Sequence, residues 1–515
     1  MEASLDIDLR APAAAPGPAA RPRGDRAGAW LLAALVGVTA ARLVHWLLVP
    51  PNSDEAYYWL WGLHPALSYF DHPPLNAWIQ GAAHAIFGRS LLVLRLPAAL
   101  TTAGSLALVM RLAARLGGGG RRLRAAAAAA FLASPLLAML AAFAWGDHLL
   151  VFFVLLAGAL FLDVLEEVAR GGRGSTARLL GGGLALGLAG LAKYSAVFLA
   201  VGLAAAIAAD PRLRRLLRDP RLWAAAGLCL AVLSPVLAWN ATHGLASFRF
   251  HLSRGFGHLG RGVLPFAVPS LLLLSPPLAW AMALAARRAG AGSGPRADVH
   301  RALALATFAA STAVFLGLSF VTWSLYYWNV VAYLLLVPMA AVVLAARPRL
   351  LGWHAGVGAA LAAAMAVHGA VVPLTALVPG IDDEDSLEPW GWGEVAAAVR
   401  AQAAKGGADL VAATDYRPGA HLAWALEDGS VKVMSLRPSE FDQWLDARAL
   451  RGRSALVVVD RRAPLGALGD RFERLERVAV VPVVRLGVHL KDYELWRGTG
   501  FDGAWPPPAA PGAGH

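Results

Sequence analysis

From Ala29 to Val372 the chain repeats one pattern: a long apolar segment, a short connection, then another apolar segment, with arginines clustered in every second connection. Apolar segments fall at roughly 29–49, 91–115, 125–144, 149–165, 177–192, 195–209, 222–239, 263–286, 301–321, 325–346 and 350–372, most near the ~20 residues that cross a bilayer as a helix. A chain so built has one physical option, a bundle of membrane-spanning helices, because isolated backbone polar groups are not tolerated in hydrocarbon. Composition agrees: 57% of residues are hydrophobic and 16% charged. Soluble domains are nearer one half apolar and one quarter charged.

The basic connections "GGGGRRLR", "EEVARGGRGSTAR", "DPRLRRLLRDPR", "RRAGAGSGPRADVHR" and "RPR" share one side. Basic loops stay cytoplasmic, so the net charge of +12 reads as topology, and no nucleic-acid partner is expected. The N-terminal residues 1–28, rich in Ala, Pro, Gly and Arg, are expected as a disordered cytoplasmic tail. The opposite side holds the stretch 50–90, "WGDH", the turn at Lys193, the loop 240–262 and "VTWS". About eleven helices, an odd number, carry the following segment to the exterior too. The first apolar segment has full-span length and no small-residue cleavage site, so it is not a signal peptide. The single cysteine, Cys229, excludes an intrachain disulfide and any cysteine-based metal site. A monomer is expected.

Past about residue 380 the composition turns soluble. "DLVAATDY", "VKVMSL", "SALVVVD" and "VAVVPVVRL" read as strands and "PSEFDQWLDARAL" as a helix. The expectation is a small extracytoplasmic α/β domain over 380–502, after a helical domain over 29–375, with a Pro/Gly/Ala tail at 503–515.

Chemistry concentrates on the exterior side. "SDEAYYWLWGLHPALSYFDHPPL", residues 53–75, sets Asp54, Glu55 and Asp71 beside His64 and His72. A helix cap at Ser53 or Asp54 accounts for one acid at best. Pro73 stiffens the turn that presents Asp71 and His72. A second exterior turn, "AFAWGDHLL", carries Asp147 and His148, where capping of the next helix is the plain alternative. Segments 177–192 and 195–209 are each about 22 Å long as helix, short of the ~30 Å hydrocarbon core. Their apex, Lys193–Tyr194, therefore lies near or below the outer interface. A lysine at that depth either snorkels to the headgroups or meets an anion. The loop 240–262 interleaves His243, His251, His258, Arg249, Arg254 and Arg261 with Phe, which suits a phosphate headgroup with an apolar tail or a solvated interfacial loop.

A base, a cation and phosphate partners at lipid level fit displacement at a sugar anomeric carbon whose leaving group is a lipid phosphate. No nucleotide cofactor is needed, and no Walker or dinucleotide-binding spacing occurs. A lipid or sugar transporter or flippase is the alternative. It predicts matched halves with interrupted helices and polar residues at the midplane, whereas these polar residues gather at one face. A non-catalytic lipid-binding subunit is a third reading.

The stretch "DEAYYWLWGLHPALSYFDHPPLNAWI" closely resembles the first exterior loop of the dolichyl-phosphate-mannose-protein mannosyltransferase-like superfamily, the glycosyltransferase family 39/83 group that includes the lipid A aminoarabinose transferases. "GDHLLVFF", "GLAGLAKYSAVFL" and "SPVLAWNATHGLASFRF" match later segments in order, and "YYWNVVAYLLLVP" does so more loosely. The resemblance implies a GT-C fold, a polyprenyl-phosphate-linked sugar donor, and inverting transfer to a hydroxyl or phosphate acceptor (lipid A, glycolipid, polysaccharide or protein) at the outer face of the bacterial cytoplasmic membrane. By position it makes Asp54 the general base, with Glu55 and Asp147 as further catalytic acids. It assigns Lys193 to the donor phosphate, and the reading of the residues themselves adds Tyr194, His72 and Arg249 as candidate partners of that phosphate. Asp71 and His243 become ligands of a divalent metal ion. The aminoarabinose branch has Lys where this chain has His72, which points away from aminoarabinose as the sugar.

Overall fold

The computed structural model describes residues 26–252, 262–287, 294–322, 324–381 and 383–506. Most of the two expected tails, the side chain of His251, and Arg254, His258 and Arg261 lie outside the described residues.

Each of the eleven apolar segments is helical over most of its length, yet they differ in reach. In chain order the helices are α1 (Arg26–Leu48), α2 (Ser53–Leu63), α3 (Leu75–Phe87), α4 (Leu91–Gly117), α5 (Arg121–Leu132), α6 (Pro135–Leu140), α7 (Gly146–Ala169), α8 (Thr176–Ala192), α9 (Val197–Ala209), α10 (Pro220–Thr242), α11 (Ala246–Leu252), α12 (Val263–Leu274), α13 (Pro276–Arg287), α14 (Gly294–Val321), α15 (Val330–Leu334), α16 (Leu336–Ala346) and α17 (Pro348–Ala370). Among the described residues, α1, α4, α7, α10, α14 and α17 are long and apolar enough to cross a membrane. The pair α12–α13 bends by 91°, and Tyr326–Leu334 with Leu336–Ala346 by 72°; counted as one span each, they bring the total to eight. Ser275, at φ 83°, followed by Pro276, makes the first bend. The segment expected at 125–144 divides into α5 and α6 at Ser134–Pro135, since Pro135 has no N–H for a continuous helix. As the short lengths foretell, α8 and Tyr194–Ala209 fall below spanning length.

The two ends of α7 have opposite character. At one end Asp163 and Glu166, both buried, meet Arg111, Arg115, Arg170, Arg178 and Arg296. Asp147 lies at the other end, about 24 Å away at ~1.5 Å per residue. Arginines of the basic connections and of the adjoining end of α4 thus lock one end of the bundle through ion pairs while the other end is left to chemistry.

Beyond α17 come α18 (Glu384–Leu387), α19 (Trp392–Ala404), β1 (Leu410–Ala413), α20 (Tyr416–Leu426), β2 (Lys432–Val433), α21 (Phe441–Trp444), β3 (Ala455–Val459), β4 (Phe472–Arg485) and β5 (Val488–Phe501). The sheet order is β2-β1-β3-β5-β4, parallel among the first three strands and antiparallel beyond. The four expected strands are present. Elements not foretold include α18, α20 and β5, and the expected helix at 438–450 shrinks to α21 and one 3-10 turn.

This domain packs on the first loop. Tyr57, Trp59, Trp61 and Tyr69 share one buried core with Trp390, Trp392, Trp424, Phe441 and Tyr493. Buried polar bonds fix the register: the Glu440 N–H donates to the Tyr57 hydroxyl at 2.6 Å, and the Phe70 N–H donates to the Glu440 carboxyl at 2.6 Å. Burial, with the Asp71 charge adding, pushes the Glu440 carboxyl up to about 8. At neutral pH it is therefore mostly uncharged and fits its apolar surroundings.

Candidate active site

Helix α2 presents Asp54. Its N-cap is Asn52 rather than Ser53 or Asp54: the Asn52 side chain accepts the Glu55 N–H at 2.9 Å, and the Glu55 carboxylate accepts the Asn52 N–H at 3.3 Å. This capping box satisfies the helix start without Asp54. Capping therefore does not explain Asp54.

Glu55 is engaged elsewhere. Both its oxygens take hydrogen bonds from Arg95, at 2.8 and 2.6 Å, and one also accepts the Ala144 N–H at 2.9 Å. Neither side chain of the pair is exposed. Arg95 further donates to the carbonyls of His45, Val49 and Pro50, tying α4 to the end of α1. Burial opposes ionisation of Glu55, but the Arg95 guanidinium outweighs it and holds the carboxyl below the usual range. With its lone pairs so taken, Glu55 ties the loop to α4 and is not free to serve beside Asp54 as the further catalytic acid expected of it.

The apex Lys193 ends α8 in extended conformation and donates to both oxygens of Asp147, at 2.7 and 2.8 Å. Gly146 makes this contact possible. A Cβ there would lie 2.8 Å from the Ala192 carbonyl oxygen, so only glycine lets the start of α7 abut the hairpin tip. The Lys193 ammonium also sits over the Tyr327 ring, 5.2 Å from its centroid. A narrow cavity is lined by Tyr58, His72, Asn76, Gly146, Asp147 and Lys193 among others. His72 sets its ring edge-on to Tyr58 at 5.8 Å. Three residues singled out from different parts of the sequence thus meet in one cleft.

Asp54 lies within electrostatic reach of that cleft. Its carboxyl is pushed up to about 6, first by burial and then by the Glu388 charge; Arg417, Lys193 and Arg437 pull the other way. Asp54, Asp147 and Asp71 all act on the Tyr58 hydroxyl, which burial chiefly holds in its neutral form. Glu388, Arg417 and Arg437 come from the C-terminal domain and were not foreseen. Glu388 and Arg437 lie on separate connections of that domain and Arg417 in the first turn of α20, and no motif spacing marks them.

Tyr194 braces the apex. Its hydroxyl pairs with the Ser247 hydroxyl at 2.7 Å and its ring meets Phe248 at 5.6 Å. Arg249 is exposed on α11 and does not line the cleft. The expected metal ligands do not come together as a site. Asp71 acts on Tyr57, Tyr58 and Glu440, whereas exposed His243 stacks on Trp239 at 4.2 Å and bonds the Trp239 carbonyl through Nδ1 at 2.9 Å. Among the described residues no group of three or more His, Cys, Asp or Glu side chains is placed to hold a metal ion.

Residues 71–239 match the family described as dolichyl-phosphate-mannose-protein mannosyltransferase. The lipid A galacturonosyltransferase RgtD of Rhizobium johnstonii is 26% identical over 398 residues, covering 75% of this chain and 80% of that protein. The crystal structure of apo ArnT from Cupriavidus metallidurans aligns with a TM-score of 0.62 at 15% identity, over 92% of this chain and 98% of that one. The chain shares the GT-C fold of this protein. A second ArnT structure from Cupriavidus metallidurans, bound to undecaprenyl phosphate, aligns with a TM-score of 0.57 at 17% identity, over 91% and 97% of the two chains. In this chain a mostly helical domain with several apolar, span-length helices carries a smaller C-terminal sheet domain. The polar cluster sits at one end of the bundle, where helix connections and sheet domain meet.

Proposed function

We propose that the protein transfers a sugar, with inversion, from a polyprenyl-phosphate donor to a hydroxyl or phosphate acceptor at the outer face of the cytoplasmic membrane. The N-terminus and the arginine-locked end of the bundle then face the cytoplasm. The observation that carries the reading is the meeting of Lys193, Asp147 and His72 in one cleft, with Asp54 close enough to feel the Lys193 charge. In support, a relative of this fold has been solved with undecaprenyl phosphate and another acts on lipid A.

The chemistry follows from the charges. A polyprenyl phosphate enters from the lipid, and its phosphate meets the Lys193 ammonium at the tip of the short hairpin. Asp147 anchors that ammonium before the donor arrives. As the bond from anomeric carbon to phosphate oxygen breaks, negative charge grows on the leaving phosphate, and Lys193, with His72 when protonated, stabilises it. Asp54, ionised above about pH 6, accepts the proton of the acceptor oxygen as that oxygen attacks the opposite face of the sugar. A base tuned toward neutrality is suited to the task. A single displacement inverts the anomeric centre.

The test is mass spectrometry of envelope lipids and glycans from cells with and without the gene. Loss of one sugar from a defined glycolipid, glycan or protein is expected and names both sugar and acceptor. Identical profiles would overturn the proposal.

A further inference from the structure

Two arginines of the C-terminal domain share a tyrosine ring. Arg437 sits 5.0 Å and Arg417 5.4 Å from the Tyr416 centroid. That ring lies 5.0 Å from the ring of Tyr57, which is one turn along α2 from Asp54. Arg417 is half-buried and Arg437 exposed. Glu388 and Asp415 act on Arg417 from a distance, but among the described residues neither arginine closes an ion pair within 4.0 Å. The next residue to Arg437 in sequence, Leu436, is 66% exposed, so this surface of the domain carries an apolar side chain as well as a guanidinium. Elsewhere the domain spends its arginines on carboxylates, as with Arg462, Arg477 and Arg485. Apart from a hydrogen bond from Arg417 to the Tyr416 side chain, the pair keeps its planar forks clear of carboxylates, and such forks match carboxylate and phosphate oxygens.

We propose that Arg417 and Arg437 form an oxyanion subsite for the saccharide, holding a carboxylate of the transferred sugar or a phosphate of the acceptor against Tyr416, beside Asp54. This rests on the glycosyl-transfer reading and divides its two charges in space: Lys193 takes the lipid phosphate and the arginine pair takes the second anion. One consequence is kinetic. Both arginines hold Asp54 in its ionised form, so an anion that occupies them raises the basicity of Asp54 as the substrate arrives.

The experiment uses the full chain in lipid nanodiscs and two pairs of probes. One pair is undecaprenyl-phosphate-linked galacturonic acid and its galactose counterpart. The other is a diphosphorylated lipid A disaccharide and its phosphatase-treated form. The native protein is expected to prefer the charged member of one pair by about tenfold or more, roughly 1.4 kcal/mol. The pair that discriminates identifies the source of the anion. Arg437→Gln, at an exposed position where folding is not at stake, should cut the preference to about twofold, with Arg437→Lys restoring part of it; Arg417→Gln should act in the same direction. Undecaprenyl phosphate alone should bind all variants equally. No preference in either pair, or a preference that survives the double Gln substitution, overturns the subsite while leaving the donor reading intact. Failure of the native protein to bind undecaprenyl phosphate removes the donor reading, and the subsite with it.

Discussion

Lys193 and Asp147 join the tip of a hairpin too short to span the membrane to the start of a full-length helix, with the ammonium bonded to both carboxylate oxygens. The pair is partly dry, at 13% and 4% side-chain exposure. An ammonium held so is preorganised for a second anion, and snorkelling to the headgroups does not describe it.

Lys193→Ala should therefore raise the apparent Michaelis constant for the polyprenyl-linked donor by about tenfold or more, the scale of a lost charge-assisted bond. Because the substitution leaves Asp147 buried and unpaired, the double variant with Asp147→Asn separates donor binding from instability. A constant unchanged in both variants would return Lys193 to a structural role.

Gly146→Ala tests the same contact without touching a charge. The added Cβ meets backbone at 2.8 Å, so α7 and the hairpin tip must separate. Overpacking of this kind costs about 1–3 kcal/mol. A lower melting temperature together with weaker donor binding is expected; full activity would mean the contact tolerates being opened.

The legible part of the site lay in exterior connections. Asp54, Asp147 and Lys193 each stand close to where an apolar segment ends and His72 in the loop between two of them, and charge at lipid level is conspicuous there. The engagement of Glu55 is not legible in its own motif, because its partner lies 40 residues away inside an apolar helix. Arg95 in "LLVLRLP" was the available signal, since an arginine within a span demands a partner. Arg417 and Arg437 carried no such mark, as arginines in a soluble domain are commonplace. Strand β5 was hidden by its own alternation: "HLKDYELWRGTGF" scatters charges along a strand whose hairpin partner, β4, is itself half exposed. The helical count suffered because length alone does not show where Pro135 and Ser275 break a segment.

Glu55→Gln should destabilise the protein by about 3–5 kcal/mol, the cost of leaving a buried guanidinium unpaired. The loss should be visible as a lower melting temperature, and any remaining folded protein should keep most of its turnover. A stable but inactive variant would restore Glu55 as a catalytic group.

The pH profile should report Asp54. Its carboxyl is raised from 3.8 to about 6, so the folded protein disfavours the charged form. Turnover is expected to fall as pH drops through about 6. The same shift costs stability above the ordinary carboxyl range, and the cost is complete above about pH 6. Asp54→Asn should thus raise the melting temperature at pH 7 and leave it unchanged near pH 3. A profile flat from pH 5 to 8 would assign the proton to another group.

One assay bears on the shared role of Asp54 and Lys193 beyond all others: sugar transfer by purified native protein and by Asp54→Asn, from a polyprenyl-phosphate donor of known anomeric configuration. The native product should be inverted, and the Asn variant should lose about 10²–10⁴ in turnover while still binding polyprenyl phosphate. Undiminished transfer by Asp54→Asn, or a product of retained configuration, would contradict the mechanism.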